Sequence, residues 1–131
     1  MITYSDDKNQ DAALVADLFR RSGIKRPFED TERIKRMIEG ADLLITAWQD
    51  GCMVGVARAI TDYSYCCYLS DLAVDASCQK QGVGKELIRL VQERIGDQCS
   101  LVLISAPNAV DFYTRLGLQK SDKAFVIPRL K

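Results

Sequence analysis

Histidine is absent from this chain of 131 residues, and its absence excludes several kinds of chemistry. Nucleophile pairs that use an imidazole base, Ser–His and Cys–His, cannot form. The commonest zinc ligand is missing as well. The five cysteines are odd in number and contain no Cys-x-x-Cys spacing, which disfavours a disulfide framework and a metal knuckle. We therefore expect no metal site and interpret the cysteines as small packing or surface residues.

An excess of charge of either sign is also lacking, because the 18 basic and 18 acidic side chains cancel. No run of Lys and Arg is longer than two residues, so the electrostatic footprint of a nucleic-acid-binding protein is missing. The apolar runs, such as residues 43–48, are too short to span a bilayer, and the first residues lack the apolar core of a signal peptide. We expect a cytoplasmic protein with no nucleic-acid or membrane partner.

What remains is the composition of an ordinary globular protein, 47% hydrophobic and 27% charged, with a length that fits one domain, residues 1–131. Apolar periodicity predicts helices over residues 9–21, from Asp30 to Gly40, and over 83–95. Asp50-Gly51 predicts a hairpin turn. The predicted strands are residues 2–4, 43–49, 53–60, 64–74, 100–105, 118–120 and 124–127.

A short helix is predicted between the last apolar strand and the closing pair, opened by Pro107, capped by Asn108 and ended by Gly117. The predicted order of elements is then β-α-α-β-β-β-α-β-α-β-β. Hairpin-linked strands followed by a β-α-β unit indicate a mixed sheet with helices on both faces.

The most informative stretch, residues 69–90, is a predicted buried strand, a turn and an amphipathic helix, and the turn contains Gln79-x-x-Gly82-x-Gly84. Two glycines at the start of a helix let backbone N–H groups approach a ligand closely, because no Cβ stands in the way. Those N–H groups lack intrahelical partners and lie at the positive end of the helix dipole, which favours phosphate binding. The alternative is a tight turn whose glycines only relieve steric strain.

Two better-known phosphate loops do not fit this turn. A P-loop would have Gly instead of Gln79 and a hydroxyl instead of Glu86, and a dinucleotide fingerprint would have a third glycine instead of Leu87. The spacing Gln-x-x-Gly-x-Gly resembles the acyl-CoA-binding motif of the GNAT N-acetyltransferases. The predicted order of elements resembles the GNAT fold over nearly the whole chain. This resemblance implies an α+β, three-layer fold with a mixed, mostly antiparallel sheet flanked by helices.

The resemblance also implies acetyl-CoA as the cosubstrate and suggests which residues contact it. In the GNAT family the strand before the glycine turn splays away from its neighbour, and its exposed backbone groups pair with the pantetheine arm. Relatives often carry Arg where this chain has Gln79. The residues expected to bind the cofactor are Leu72, Ala73 and Val74 in the strand and Gln79, Lys80, Gln81, Gly82, Val83, Gly84 and Lys85 around the pyrophosphate.

The segment from Asn108 to Leu118 resembles a later GNAT motif, in which an Asn is followed by a Tyr and then by a Gly-[Phe/Leu] pair. The Tyr of that motif lies beside the cofactor sulfur. The resemblance therefore implies that Tyr113 is catalytic and stabilises the CoA thiolate, and that Asn108 and Phe112 help to bind the cofactor. Taken without the resemblance, Tyr113 is an amphipathic surface residue or a packing residue beside Phe112.

The implied reaction is direct acetyl transfer to a primary amine in a ternary complex. The amine must be neutral to attack, and holding a Lys-like amine deprotonated at pH 7 costs about 4–5 kcal/mol. Asp71, in the strand before the glycine turn, is the first candidate to hold the ammonium or to accept its proton. Asp71 could instead point away and cap a neighbouring turn. Tyr68 and Ser70, expected on the opposite face of the strand, are the competing choice through an ordered water.

The acceptor is expected to be a small amine or a peptide amine. The loop over residues 21–28 is expected to border the acceptor, and its three basic residues would suit an anionic acceptor, unless they are solvated surface charges. An exposed sheet edge near residues 124–127 predicts a homodimer. Two alternatives to an enzyme are a CoA-binding sensor without useful turnover and an interaction domain whose glycine turn is only structural.

Overall fold

The computed structural model describes residues 1–131, which form a sheet covered by helices on both faces. None of the helices combines the length and the apolar character that a membrane span requires. Single 3₁₀ turns lie at Ala76–Cys78 and Pro107–Ala109. The remaining elements are β1 (Ile2–Ser5), α1 (Ala12–Ser22), α2 (Thr31–Glu39), β2 (Leu43–Gln49), β3 (Cys52–Thr61), β4 (Cys66–Val74), α3 (Val83–Ile95), β5 (Ser100–Val102) and α4 (Val110–Arg115).

The five strands lie side by side in the order β1-β2-β3-β4-β5. The first four strands are antiparallel, and β5 runs parallel to β4. The predicted mixed, mostly antiparallel sheet is therefore confirmed. The last pairing is short, because only Cys66 to Tyr68 of β4 pair with Ser100 to Val102 of β5.

Apolar stripes on the helices explain the layers. In α1 the buried positions Val15, Leu18 and Phe19 recur at helical spacing and pack with α2 against one face of the sheet. On the other face, α3 contributes the stripe that the sequence predicted, which runs from Val83 through Leu87 to Ile95. We refer below to the α1–α2 face and the α3 face of the sheet.

A β-bulge in β4 changes which side chains reach each face. Arg58 of β3 pairs with Asp71, but the next residue, Ala59, pairs with Leu69, so Ser70 has no opposite partner. Before the bulge Leu69 belongs to the core on the α3 face, whereas after it Ala73 belongs to the core on the α1–α2 face. Asp71 therefore lies on the α1–α2 face, because alternate residues of a strand share a face.

Three predictions about the C-terminal third of the chain are wrong. The last strand ends at Val102 instead of residue 105, and no strands form at residues 118–120 or 124–127. Phe125 and Ile127 are 95% and 97% exposed, so this segment packs against nothing that would give a strand a buried face. Asn108 lies within a 3₁₀ turn, and α4 begins after Ala109 without a side-chain cap.

Candidate active site

Strands β4 and β5 separate beyond Tyr68, and the opening between them is the centre of the candidate site. Strand β4 continues to Val74, whereas its pairing with β5 stops at the pair Tyr68–Val102. Leu72, Ala73 and Val74 therefore have a strand partner in β3 and none on the β5 side. The splayed strand expected for these residues is present, and its free edge can pair with an extended ligand.

The free edge of β4 leads through one 3₁₀ turn to the glycine turn, residues 79–84. Gly82 is the residue before α3 and has φ 80° and ψ 8°, in the left-handed region that favours glycine. Glu86 is the first residue of this helix whose N–H reaches a backbone carbonyl, that of Gly82. No side chain caps the helix, so the N–H groups of Val83, Gly84 and Lys85 are free to bind an anion.

Most of the side chains around this turn are exposed. Gln79, Lys80 and Gln81 are exposed, as is Lys85, and Lys80 also has a positive φ of 72°. The side-chain amide of Gln79 donates a hydrogen bond of 3.2 Å to the carbonyl of Val74. Gln79 thus ties the glycine turn to the end of β4. Any contact of this turn with a phosphate then comes from backbone N–H groups and from the lysines.

Gly84 and Val83 have packing roles as well. A Cβ on Gly84 would lie 3.1 Å from Cζ of Phe112, so the absence of a side chain lets the Phe112 ring approach α3 closely. Val83 is 1% exposed and belongs to the core on the α3 face. A Cβ on Gly82, in contrast, would meet no protein atom within 4 Å, so the space above Gly82 is open to a ligand.

An ion pair that the sequence analysis did not foresee fixes the approach to the glycine turn. Arg21, at the end of α1, pairs with Asp75, the residue after β4, and also donates a hydrogen bond to the carbonyl of Met53. Asp75 caps the 3₁₀ turn, and hydrogen bonds from the backbone and hydroxyl of Ser77, with a contribution from Arg21, lower the pKa of its carboxyl. Arg21 is therefore occupied within the protein.

Tyr113 lies on α4 with its ring half-buried against the core on the α3 face and edge-on to Phe112, at a centroid distance of 5.1 Å. Its hydroxyl makes no hydrogen bond within the protein, and no buried side-chain nitrogen or oxygen lacks a partner, so the hydroxyl reaches solvent. Burial raises the pKa of Tyr113, and the nearby charge of Arg26 opposes this rise. The phenol is therefore protonated at neutral pH and available as a hydrogen-bond donor.

Asp71 does not have the position expected of a proton acceptor. It is fully buried, and its two carboxylate oxygens bind Nε of Arg26 and Nε of Arg58, each at 2.5 Å. Both carboxylate oxygens are thus taken by guanidinium groups within the protein. Asp71 was predicted to hold an ammonium or to accept its proton; in this arrangement its two ion pairs instead position Arg26 and Arg58.

The bulge also changes the positions of the two competing candidates, Tyr68 and Ser70. The hydroxyl of Ser70 accepts a hydrogen bond of 3.0 Å from Arg58, and its carbonyl accepts one of 2.7 Å from Arg26. Tyr68 is 42% exposed and follows Cys67, which belongs to the core on the α3 face, so Tyr68 shares the α1–α2 face with Asp71. Alternation along β4 without the bulge predicts Tyr68 and Asp71 on opposite faces.

Comparison with known proteins places this geometry in a family. Residues 4–127 match the acetyltransferase (GNAT) domain. The chain is 34% identical over 54% of its length to GCN5-related N-acetyltransferase 2, chloroplastic, of Arabidopsis thaliana, of which it covers 28%. It is 31% identical over 82% of its length to serotonin N-acetyltransferase 2, chloroplastic, of Oryza sativa subsp. japonica, of which it covers 56%. The chain thus spans about half or less of the length of these relatives.

Solved structures show the same fold. A GNAT-family acetyltransferase from Streptococcus pneumoniae superposes with a TM-score of 0.79 over the full length of both chains at 20% identity. AAC(6')-Iy, solved in complex with the bisubstrate analogue CoA-S-monomethyl-acetylneamine, superposes with a TM-score of 0.74 over 98% of both chains at 17% identity. The architecture derived above is therefore that of a known fold.

Proposed function

The chain belongs to the GNAT family of acetyltransferases, and from this premise we propose that it transfers an acetyl group from acetyl-CoA to a primary amine. One observation carries the proposal: the unpaired edge of β4 leads through one 3₁₀ turn to the free N–H groups at the start of α3, and Tyr113 follows β5 on α4 with its hydroxyl open to solvent. An extended pantetheine arm fits the first feature, a pyrophosphate the second, and a thioester beside a phenol the third.

The residues of β4 and of the glycine turn fit the cofactor without a metal. They also fit it without a charged side chain at Gln79, the first residue of the turn. Leu72, Ala73 and Val74 supply backbone groups along the arm, and Val83, Gly84 and Lys85 supply N–H groups at the pyrophosphate. A negative charge at a helix N-terminus gains roughly 0.3–1 kcal/mol, and up to about 2 kcal/mol when partly buried. Several donors must therefore act together, which is what the uncapped first turn of α3 provides.

In the proposed reaction the amine nitrogen attacks the acetyl carbonyl of the thioester directly, and the carbon–sulfur bond breaks. Tyr113 donates a hydrogen bond to the departing sulfur, where negative charge develops. Full proton transfer from a phenol of pKa near 10 to a thiolate of thiol pKa near 8.5 is uphill by about 2 kcal/mol. Donation without transfer is therefore sufficient, and it stabilises the transition state more than the bound thioester.

The proton of the attacking amine is proposed to leave through water. Asp71 is occupied by two arginines, and the site has no histidine to replace it. Tyr68 is the exposed polar side chain that β4 presents next to the opening. An ordered water on Tyr68 would give the proton a path to solvent. At a pH below the pKa of the acceptor amine, the cost of deprotonating the amine would lower the rate.

Acetyl-CoA turnover, measured as thiol release with pooled primary amines that include serotonin, tests the proposed activity. We expect amine-dependent release and a rise in melting temperature with CoA; a ligand at about 100 times its Kd adds about 2.7 kcal/mol. A rise in melting temperature without release under any pool would favour the CoA-binding sensor. No rise at all would favour an interaction domain and would remove the proposal.

We also propose that the protein forms a homodimer in the cytoplasm. The strands first expected at the sheet edge are not formed, but the same C-terminal segment leaves Phe125, Ile127 and Leu130 almost fully exposed. Exposed apolar clusters of this kind are often covered by a partner. Cell fractionation tests the location, and the oligomeric state is tested below.

A further inference from the structure

Three charged side chains meet on the α1–α2 face where β4 loses its β5 partner. Arg26 comes from the loop between α1 and α2, Arg58 from β3 and Asp71 from β4. We call these residues the arginine pair and its aspartate. Asp71 is fully buried, the side chain of Arg58 is 11% exposed, and that of Arg26 is 25% exposed. Two guanidinium charges balanced by one carboxylate leave a net positive charge, and Arg26 is the member that reaches solvent.

Arg26 has unused capacity for a ligand. Its three hydrogen bonds go to the carboxylate of Asp71 and to the carbonyls of Ser70 and Lys25. A guanidinium has about five N–H donors, so two remain for an external acceptor in a planar arrangement that suits carboxylates and phosphates. Asp71 and Ser70 hold the group rigidly, which reduces the entropy lost on binding.

The position of Arg26 places this free capacity at the reaction centre. Its guanidinium donates a hydrogen bond of 2.7 Å to the carbonyl of Ser70, two residues beyond Tyr68, where the pairing of β4 with β5 stops. Arg26 therefore lies on the α1–α2 face at the edge of the opening between β4 and β5, and its charge opposes the rise in the pKa of Tyr113. An amine that enters the opening from the α1–α2 face would bring an anionic group a few bonds away within reach of this guanidinium.

From this geometry we propose that the acceptor is a small amine carrying an anionic group, a carboxylate or a phosphate, and that Arg26 binds this anion. The inference rests on the proposed acetyl transfer and adds the acceptor class to it. It also separates this chain from the relatives whose names specify acceptors, since serotonin is a cation with no anionic group. Arg58 and Asp71 are positioning residues that hold Arg26.

A pair of amines that differ only in the anion provides the test. 5-Hydroxytryptophan is serotonin with an added carboxylate, and 5-hydroxytryptophan amide keeps the bulk without the charge. A second series compares amino acids, their amides and aminoalkyl phosphonates of matched length, which distinguishes a carboxylate from a phosphate site. We expect kcat/KM to favour the preferred anion over its neutral analogue by at least about tenfold, mostly through KM.

The variant Arg26→Gln should reduce this preference to about one, because the anion loses the guanidinium proposed to bind it, while CoA affinity stays unchanged. Arg26→Lys keeps the charge but not the planar fork and should retain part of the preference. Lys25→Gln removes the same charge from the neighbouring residue and should leave the preference intact. Calorimetry of the N-acetylated products against the protein–CoA complex gives the same comparison without turnover.

The outcomes separate the inference from the function on which it rests. Turnover of amines with no preference for an anion, or a preference for serotonin over 5-hydroxytryptophan, overturns the inference and leaves acetyl transfer in place. Loss of the preference in Lys25→Gln but not in Arg26→Gln overturns the role of Arg26. Absence of thiol release with every amine, together with no difference in product binding, overturns both. Should Arg26→Gln fail to fold, the amine pairs still decide the question with the unaltered protein.

Discussion

The guanidinium of Arg21, in the last turn of α1, is ion-paired with the carboxylate of Asp75, which links β4 to the glycine turn. The two residues are far apart in the sequence. Their pairing fixes the end of β4 relative to α1. The proposed pyrophosphate site therefore depends on a helix that does not contribute a residue to it.

We expect Arg21→Gln to weaken acetyl-CoA binding about tenfold and to lower the free energy of unfolding by about 1–3 kcal/mol, because a partly buried carboxylate loses its partner. Calorimetry and thermal denaturation measure the two effects. Arg20→Gln is the matched control, since Arg20 pairs only with Asp17 on the exposed side of the same helix. Equal effects in both variants would show that helix charge, and not the link to Asp75, is responsible.

Gly82→Val is expected to abolish acetyl-CoA binding while the protein remains folded. The branched side chain would occupy the open space above the turn, and the positive φ of 80° adds about 1–3 kcal/mol of strain. Gly51→Val is the matched control, because Gly51 also has a positive φ of 76° and open space around its Cα. Calorimetry on both folded variants decides; unchanged affinity in Gly82→Val would remove the pyrophosphate site from the turn.

Tyr113→Phe should lower kcat by at least about tenfold and leave the CoA dissociation constant nearly unchanged. The substitution keeps the ring and its packing on Phe112 but removes the donor proposed to act on the departing sulfur, and such donors contribute about 10²–10⁴-fold. Once an acceptor is known, steady-state kinetics and calorimetry separate the two effects. A variant with full kcat would show that solvent protonates the thiolate and that Tyr113 is a packing residue.

The reaction rate should not fall through ionisation of Tyr113 at any pH below about 10. Burial raises the pKa of this phenol above its usual value of about 10, so the donor form persists through the neutral and mildly alkaline range. The rate should instead rise with pH as the acceptor amine becomes neutral. A fall in kcat that begins near pH 8 in the native protein, and is missing in Tyr113→Phe, would contradict this assignment.

Self-association through the C-terminal segment predicts a dimer at micromolar concentration in light scattering. The double variant Phe125→Ser and Ile127→Ser should shift the protein to monomer, because it removes two of the three almost fully exposed large side chains of this segment. Val102→Ser, at the edge strand β5, serves as the comparison. A native protein that is monomeric at this concentration would refute the dimer.

The sequence predicted the glycine turn and the helix stripes well, because each depends on neighbours within a few residues; the role of Tyr113 stays a prediction. Asp71 was misplaced because one bulged residue, Ser70, reverses the alternation of β4, and no local pattern marks that residue as the extra one. Arg21 and Arg26 were recognised only as basic residues of a loop. Their partners Asp75 and Asp71 lie far along the chain, and such pairs depend on how the elements pack. The strands predicted over residues 118–120 and 124–127 do not form, because an apolar segment becomes a strand only when it pairs with the edge of a sheet.

The short pairing of β5 has a consequence for the survival of the protein. Three residue pairs join this strand to the sheet, α4 has no fully buried residue, and the segment after it has no regular structure. We therefore expect residues 100–131 to open more easily than the core of the sheet, below the threshold for global unfolding. A cofactor bound as proposed, between β4 and Tyr113, would bridge this part to the rest. Bound acetyl-CoA would then protect residues 100–131 from proteolysis. The lifetime of the intact chain would therefore depend on the local concentration of acetyl-CoA.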